Sequence, residues 1–400
     1  MRIEPLNQRL LNIRRVLTEI REGPERTRAS LSRRLGLSKP TVSEITRILI
    51  DVGVVEEDGV RPSRAAGRRS MQLKIKHDAY CVLAIDVGGT NLRGAVVAPS
   101  GLILHRLAER TRSDDLEDQV CQLIDRLSGL SAPAEIIGVG IGAAGVADPQ
   151  SGMILNMPAL SRVNVELGRH VREATNLPVL VDNDVNYATL GEWWRGTASG
   201  RPNVACVSVG TGIGAGLILD HKLYRGSHNL VGEIGYAFHE EKLPEAPYAR
   251  FGAMEHFASG WGLQQNARQS IDAGVATCLT KERLDRDGAH AILDASLHGD
   301  PLSRELVHRA GIAIGRVIAN IISLLDLDRV VLTGGVMGTP DEILPLVRQV
   351  VKRVAVPEAR DVVDICLGVL GDDAVLIGAT YEVQESLLPE LVFDRARNGD

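Results

Sequence analysis

Residues 82–97 read VLAIDVGGTNLRGAVV, and they decide how the rest of the chain is read. An apolar run from Val82 to Ile85 ends in Asp86-Val87-Gly88-Gly89-Thr90, and a second apolar run, Ala95 to Val97, follows almost at once. That pattern predicts two strands of a hairpin joined by a tight turn. Gly88 and Gly89 can take backbone angles closed to other residues and let an anion approach the main chain. Asp86 is placed to hold a hydrated Mg²⁺, and Thr90 offers a hydroxyl to a phosphate. An ordinary hairpin with a glycine turn would look the same, so the other parts of a phosphate site must come from elsewhere in the chain.

Residues 204–219, VACVSVGTGIGAGLIL, echo the first stretch: an apolar run, the turn Gly210-Thr211-Gly212, and a glycine-spaced second run. Two such hairpins more than a hundred residues apart predict a duplicated architecture with phosphate held between the halves. Between them, Ile136 to Val146 reads as a buried strand entering a glycine-rich turn that includes Gly145. Val179-Leu180-Val181 is a further strand, ending in Asp182-Asn183-Asp184-Val185-Asn186. Polar residues at the carboxyl end of a buried strand are where α/β ligand sites form. Asp184 is suited to accept a proton from a hydroxyl nucleophile and Asn183 to orient it, although a turn that caps the next helix would show the same residues. Gly232-Glu233-Ile234-Gly235 reads as a loop, 312–325 as an apolar helix, and Val330-Val331-Leu332 as a strand entering Thr333-Gly334-Gly335. A closing helix begins within residues 371–380.

The 400 residues suggest two or three domains with material for a sizeable core. Hydrophobic content of 44% and charge of 24% are those of a globular protein. No run approaches the ~18 apolar residues of a membrane span, and the charged, amphipathic start does not read as a signal peptide. The five cysteines, Cys81, Cys121, Cys206, Cys278 and Cys366, stand far apart with no CxxC pair, which predicts free thiols and a cytoplasmic location. Charge is uneven. Residues 1–76 carry 17 Lys and Arg against 9 Asp and Glu, leaving 28 basic and 42 acidic residues of the chain's 45 and 51 in the remainder. A basic head on an acidic body predicts that only the head meets a polyanion.

In that head, Leu6, Leu10, Ile13, Leu17 and Ile20 recur at helical spacing up to Gly23-Pro24. Thr27 to Leu35 reads as a short helix with Ala29, Leu31 and Leu35 inward, closed by Gly36. Ser38 is a natural N-cap and Pro40 is tolerated in the first turn of the next helix. That helix buries Val42, Ile45 and Leu49 and turns Lys39, Thr41, Ser43, Glu44 and Arg47 outward. Helix, glycine turn, Ser-capped helix is the helix-turn-helix plan, whose second helix enters the major groove. Residues 54–60 are expected to form the two short strands of a wing. Arg61 to Arg69, with Arg64, Arg68 and Arg69, reads as a basic linker able to reach a narrow minor groove. The domain boundary is expected near residues 71–76.

The stretch ASLSRRLGLSKPTVSEITRILIDVGVV resembles winged helix-turn-helix repressors. Six motifs in order, DVGGT (86–90), DNDVN (182–186), GTGIGAG (210–216), GEIG (232–235), TGG (333–335) and DDAVLIGA (372–379), resemble the ROK family of repressors and sugar kinases in its regulator form. The resemblance covers nearly the whole chain. It implies an actin-like, hexokinase-type (ribonuclease H-like) ATPase fold of two α/β lobes, here 77–195 and 196–400 behind a DNA-binding head at 1–76, with the last helix packing back on the first lobe. By the same resemblance, Asp184 would be the base of a kinase reaction, and Gly145, Asn183, Asp184, Glu233 and Glu255 would hold the sugar. Asp86, Gly88, Gly89, Thr90, Gly210, Thr211 and Gly212 would cradle the phosphates of Mg·ATP, with Gly334 and Gly335 beside the adenosine.

The chain departs from the family where most members carry a His after the GE-G motif and a CxCGxxGC cluster holding zinc. Tyr236 stands at the His position, and Ala246, Tyr248 and Ala253 at the cysteines, so no structural zinc is expected. Packing by Tyr248, Phe251 and Phe257 is expected to hold the loop instead. The resemblance implies a sugar-responsive regulator bound to operator DNA as a homodimer or homotetramer, needing no cofactor and meeting no membrane. The alternative is an ATP-dependent sugar kinase, or both activities in one chain.

Overall fold

The computed structural model describes residues 5–23, 26–61, 70–237, 248, 251–338 and 340–398. The head opens with three helices: α1 (Pro5–Glu22), α2 (Arg28–Leu35) and α3 (Lys39–Asp51). Thr27 caps α2 by accepting from the Ser30 amide, and Gly36, at φ 65°, ends it in the left-handed conformation. Ser38 caps α3 by accepting from the Thr41 amide. Ile13, Ile20, Leu31, Val42, Ile45 and Leu49 close into one core. Ala29, expected inward, is exposed, and Ser30 is buried in its place. The cause is the cap itself, because the Ser30 hydroxyl turns in to serve the Thr27 backbone amide.

The wing differs from expectation. Residues 55–61 form a single strand, β1 (Val55–Arg61), whose antiparallel partner is β2 (Ser70–Ile75), with Arg61 opposite Ser70. Residues 62–69 therefore join two paired strands of the wing and do not link domains. The connection to the body is residues 76–80. Arg64, Arg68 and Arg69 lie outside the described residues.

The body repeats one sheet plan. In the first lobe, β3 (Cys81–Val87), β4 (Asn91–Val97) and β5 (Ile103–Arg110) form an antiparallel meander; after α4 (Leu116–Ser128), β6 (Ile136–Ala143) joins β3 in parallel. A small sheet of β7 (Val146–Asp148), β8 (Met153–Met157) and β9 (Arg162–Val165) follows, then α5 (Leu167–Thr175) and β10 (Val179–Asn183), giving the order β10-β6-β3-β4-β5. Helix α6 (Asp184–Arg195) leads to the second lobe. There β11 (Val204–Val209), β12 (Ile213–Leu219) and β13 (Lys222–Leu223) form the meander. Among the described residues five helices intervene: α7 (Ala253–Ala258), α8 (Gly260–Asp272), α9 (Lys281–Asp287), α10 (Ala289–Leu297) and α11 (Pro301–Leu325). Then β14 (Arg329–Thr333), α12 (Pro340–Val354), α13 (Pro357–Arg360) and β15 (Asp364–Leu367) complete the order β13-β12-β11-β14-β15. The last helix, α14 (Ala374–Asn398), returns to the first lobe, where Val383 packs with Val82 and Ile137.

One helix is longer and more apolar than the sequence reading allowed. Over α11 an 18-residue window reaches a mean hydropathy of 1.3, long and apolar enough to cross a membrane, but 61% of that window is buried inside the fold. Its Leu306, Ile314 and Ile318 belong to the second lobe's core.

Candidate functional site

A cleft of about 950 Å³ opens between the lobes. Asp86, Gly88, Gly89 and Thr90 from the first hairpin and Gly210, Thr211 and Gly212 from the second face each other across it. Gly145, Asn183, Asp184, Glu233, Glu255 and Gly335 complete the expected set. Gly334 does not line the cleft. At φ 95°, a Cβ there would meet the Val209 oxygen at 2.4 Å, so this glycine lets the turn after β14 press against β11.

The hairpin register sets the first half of the site. Asp86 pairs with Arg93 across β3 and β4, and the Arg93 guanidinium reaches Asp86 and Asp372, each at 3.1 Å. Sequence reasoning missed Arg93, yet pairing Val82 with Val97 places the two residues opposite one another. Burial and the neighbouring Asp184 carboxylate push Asp86 up to about 7, against the pull of Arg93.

Asn183 and Asp184 sit where β10 gives way to α6. Asn183 caps the helix, its Oδ1 accepting from the Val185 and Asn186 amides at 2.8 and 3.1 Å, while its Nδ2 donates to the Gly145 oxygen at 2.8 Å. Helix capping therefore accounts for Asn183, and ties Gly145 to the same turn. Asp184 is the first residue of α6 and accepts from the Val185 amide at 3.0 Å. Hydrogen bonding lowers its pKa, but burial wins and pushes it up to about 6. Asp182 has a different role. It is buried and receives Arg225 Nε at 2.8 Å and Asn186 Nδ2 at 2.8 Å.

Glu255, the first-turn residue of α7, holds two loops together. Its Oε1 accepts from the Ile213 amide at 2.9 Å and its Oε2 from the Gly252 amide at 2.7 Å. The carboxylate fits because two neighbours lack a Cβ. One at Gly212 would meet Glu255 Oε1 at 2.6 Å, and one at Gly235 would meet Cδ at 2.7 Å. Burial raises Glu255, and burial with the Glu255 charge raises Glu233. Carboxylates of this kind suit the hydroxyl donors of a sugar.

The loop before α7 is held by rings. Phe251 stacks on Trp261 at 4.5 Å, His256 meets Trp261 edge-on at 4.9 Å, and Tyr248 lies 5.4 Å from His256. Phe257 receives the Arg309 guanidinium at 5.6 Å. The sequence reading named Tyr248, Phe251 and Phe257; Trp261 and His256 are additions. Ala246 lies outside the described residues. Tyr248 and Ala253 offer no thiolate, and among the described residues no group of three or more His, Cys, Asp or Glu is placed to hold a metal.

On the head, Lys39, Ser43, Glu44 and Arg47 are exposed along α3, and Thr41 is half-buried with its hydroxyl 2.8 Å from that of Ser38. Glu44 is engaged by Arg9 of α1 at 2.8 Å.

A winged helix-turn-helix on a two-lobed body, with glycine turns facing across a cleft, defines a class in which DNA reading and small-molecule binding share one chain. Residues 82–386 match the ROK family and residues 10–56 the winged helix-turn-helix DNA-binding family; the chain belongs to the ROK family. It is 28% identical over 380 residues to the xylose repressor of Caldicellulosiruptor bescii, covering 93% of this chain and 95% of that one. It is 29% identical over 316 residues to the glucokinase of Halalkalibacterium halodurans, covering 76% of this chain and 94% of that enzyme. The crystal structure of a ROK family transcriptional regulator, a homolog of the E. coli MLC protein, superposes over 97% of this chain and 99% of its own with a TM-score of 0.83 at 24% identity, and shows the fold. A Streptomyces griseus ROK glucokinase in complex with glucose and AMPPNP matches 76% of this chain and all of its own at 28% identity, TM-score 0.65.

Proposed function

We propose that the chain is a sugar-responsive transcriptional repressor of carbohydrate genes. One observation carries this reading: an exposed reading helix, α3, is built into the same molecule as a cleft lined by Asp184, Glu233 and Glu255. Arg47, Lys39 and Ser43 would meet operator bases and phosphates, and Arg64, Arg68 and Arg69, in the sequence between β1 and β2, would reach the minor groove. Two heads in a homodimer or homotetramer would read paired half-sites. In the cleft, Asp184, Glu233 and Glu255 would accept from sugar hydroxyls, with Asn183 and Gly145 shaping the floor. The Gly88–Thr90 and Gly210–Gly212 turns would hold the phosphates of a nucleotide. Sensing needs no cofactor, and ring packing takes the place of a structural zinc.

The test is a thermal-shift screen of pentoses, hexoses and N-acetylhexosamines with and without Mg·ATP, since a ligand of the native state raises its melting temperature. Deleting residues 1–70 must abolish DNA binding; binding that survives the deletion refutes the repressor reading. A second reading is favoured by Asp184, a half-buried cleft carboxylate pushed up to about 6: residual phosphorylation of the sugar. Sugar-dependent ADP release lost in Asp184→Asn would support it, and none with any sugar would exclude it.

A further inference from the structure

Two arginine clusters meet α14 within one turn of each other. Arg225, on the loop from β13 toward Glu233, donates Nε to Asp182 at 2.8 Å and Nη2 to Glu382 at 3.2 Å. Asp182 also accepts from the Asn183 amide at 2.7 Å, so Arg225 is tied to the turn that presents Asn183 and Asp184 to the cleft. Three residues along α14, Glu385 receives the buried Arg21 of α1. Arg21 also donates to Gln384 at 3.2 Å and to Glu22 at 2.7 Å, with its guanidinium 4.9 Å from the Tyr381 ring and 5.7 Å from Trp194 at the end of α6. The Trp194 indole donates to Glu22 at 2.6 Å. The first turn of α14 reaches the cleft through Val375.

We infer that α14 mechanically couples the cleft to the DNA-reading head, through Arg225–Glu382 at one end and the Arg21–Glu385 clasp at the other. The inference rests on the repressor reading for its purpose, and on these contacts for its geometry. A helix transmits displacement because its backbone hydrogen bonds fix successive residues together. A change between the lobes that moves Arg225 shifts Glu382, and with it Tyr381, Gln384 and Glu385 around Arg21. The clasp is suited to two states. A buried guanidinium that loses Glu385 and keeps only Glu22 is undercompensated where it stands, so the contact is made or broken rather than stretched. The docked state is not fully satisfied either, since Gln384 Nε2 is buried with no hydrogen-bond partner among the described residues. Such coupling must be reciprocal: what loosens the head must also be felt at the cleft.

Reciprocity allows a test that needs neither sugar nor operator. Hydrogen exchange is followed by mass spectrometry on the full chain, comparing the amides of α1 with those of residues 224–233. Glu382→Gln, which removes the Glu382 half of the Arg225 ion pairing at constant volume and leaves Asp182 in place, should speed exchange in α1 by about tenfold or more; Glu385→Gln should do the same in 224–233. Arg225→Met and Arg21→Met are the stronger versions, and the glutamine variants carry the test where these fail to fold. If each variant loosens only its own end, the far end staying within about twofold of wild type, the coupling is refuted and the repressor reading stands untouched.

Discussion

Glu255 is the residue whose replacement most directly separates the sugar-ligand role proposed for it from its role as a structural clamp. Each carboxylate oxygen accepts a backbone N–H, from Ile213 and Gly252. Glu255→Gln keeps the shape but turns an NH₂ toward one of those donors. One charge-assisted bond is lost and one buried N–H is orphaned, a cost of about 1.5–3 kcal/mol, less what is regained by no longer burying a charge. Taking about 1–2 kcal/mol net, and about 2–4 °C per kcal/mol for a domain of this size, the melting temperature falls by roughly 2–8 °C. Glu255→Ala orphans both amides and opens a cavity, costing about 3–5 kcal/mol. The assay is thermal and urea unfolding of the sugar-free protein followed by circular dichroism. A Glu255→Gln protein as stable as wild type would refute the reasoning, because the carboxylate would then be free for ligand alone.

Stability should also depend on pH in a direction opposite to that of most carboxylates. Asp86 near 7 and Asp184 near 6 in the fold, against 3.8 unfolded, bind protons more readily when folded. Their contribution to stability is therefore largest at low pH, falls as pH rises from about 4 through 7, and levels off above that; between pH 5.5 and 7.5 the two groups together give a loss of about 2–3 kcal/mol. Urea midpoints across that range check it, and Asp86→Asn should remove the larger part of the slope. On the head, Arg47→Ala should weaken binding to the operator more than to random DNA, whereas Arg64→Ala should weaken both and flatten the salt dependence, as gel-shift titrations at two salt concentrations would reveal. Trp261→Ala, which removes the half-buried ring that Phe251 and His256 both meet, should destabilise the second lobe by about 1–3 kcal/mol in the same unfolding assay. Metal analysis of the purified wild-type protein should find no stoichiometric zinc; one equivalent would overturn the ring-packing account.

Both hairpins were legible because apolar runs broken by glycine turns are a local pattern, and the repeat of that pattern foretold the repeated sheet. Even Arg93 could have been placed, since the hairpin register alone sets it against Asp86. The wing misled because Asp58-Gly59 is a strong turn signal. In the fold, Gly59 sits at φ 59° where the register of β1 against β2 slips between Asp58 and Val60, so the glycine makes a bulge and the strand continues. Arg225 and Arg21 could not have been assigned at all. Their partners, Glu382 and Glu385, are more than 150 residues away, and only the return of α14 across the first lobe brings them together.

That β1 pairs with β2 on either side of the basic residues 62–69 has a consequence for operator architecture. Only residues 76–80 connect β2 of the head to β3 of the body, a tether bounded by paired strands at both ends. Five residues span at most about 17 Å, too little for a head to search independently while its body stays put. In a dimer, the distance between the two reading helices would thus be a ruler set by the bodies. Exchanging heads between relatives should change which bases are read, while the gap between half-sites is inherited from the sugar-binding lobes.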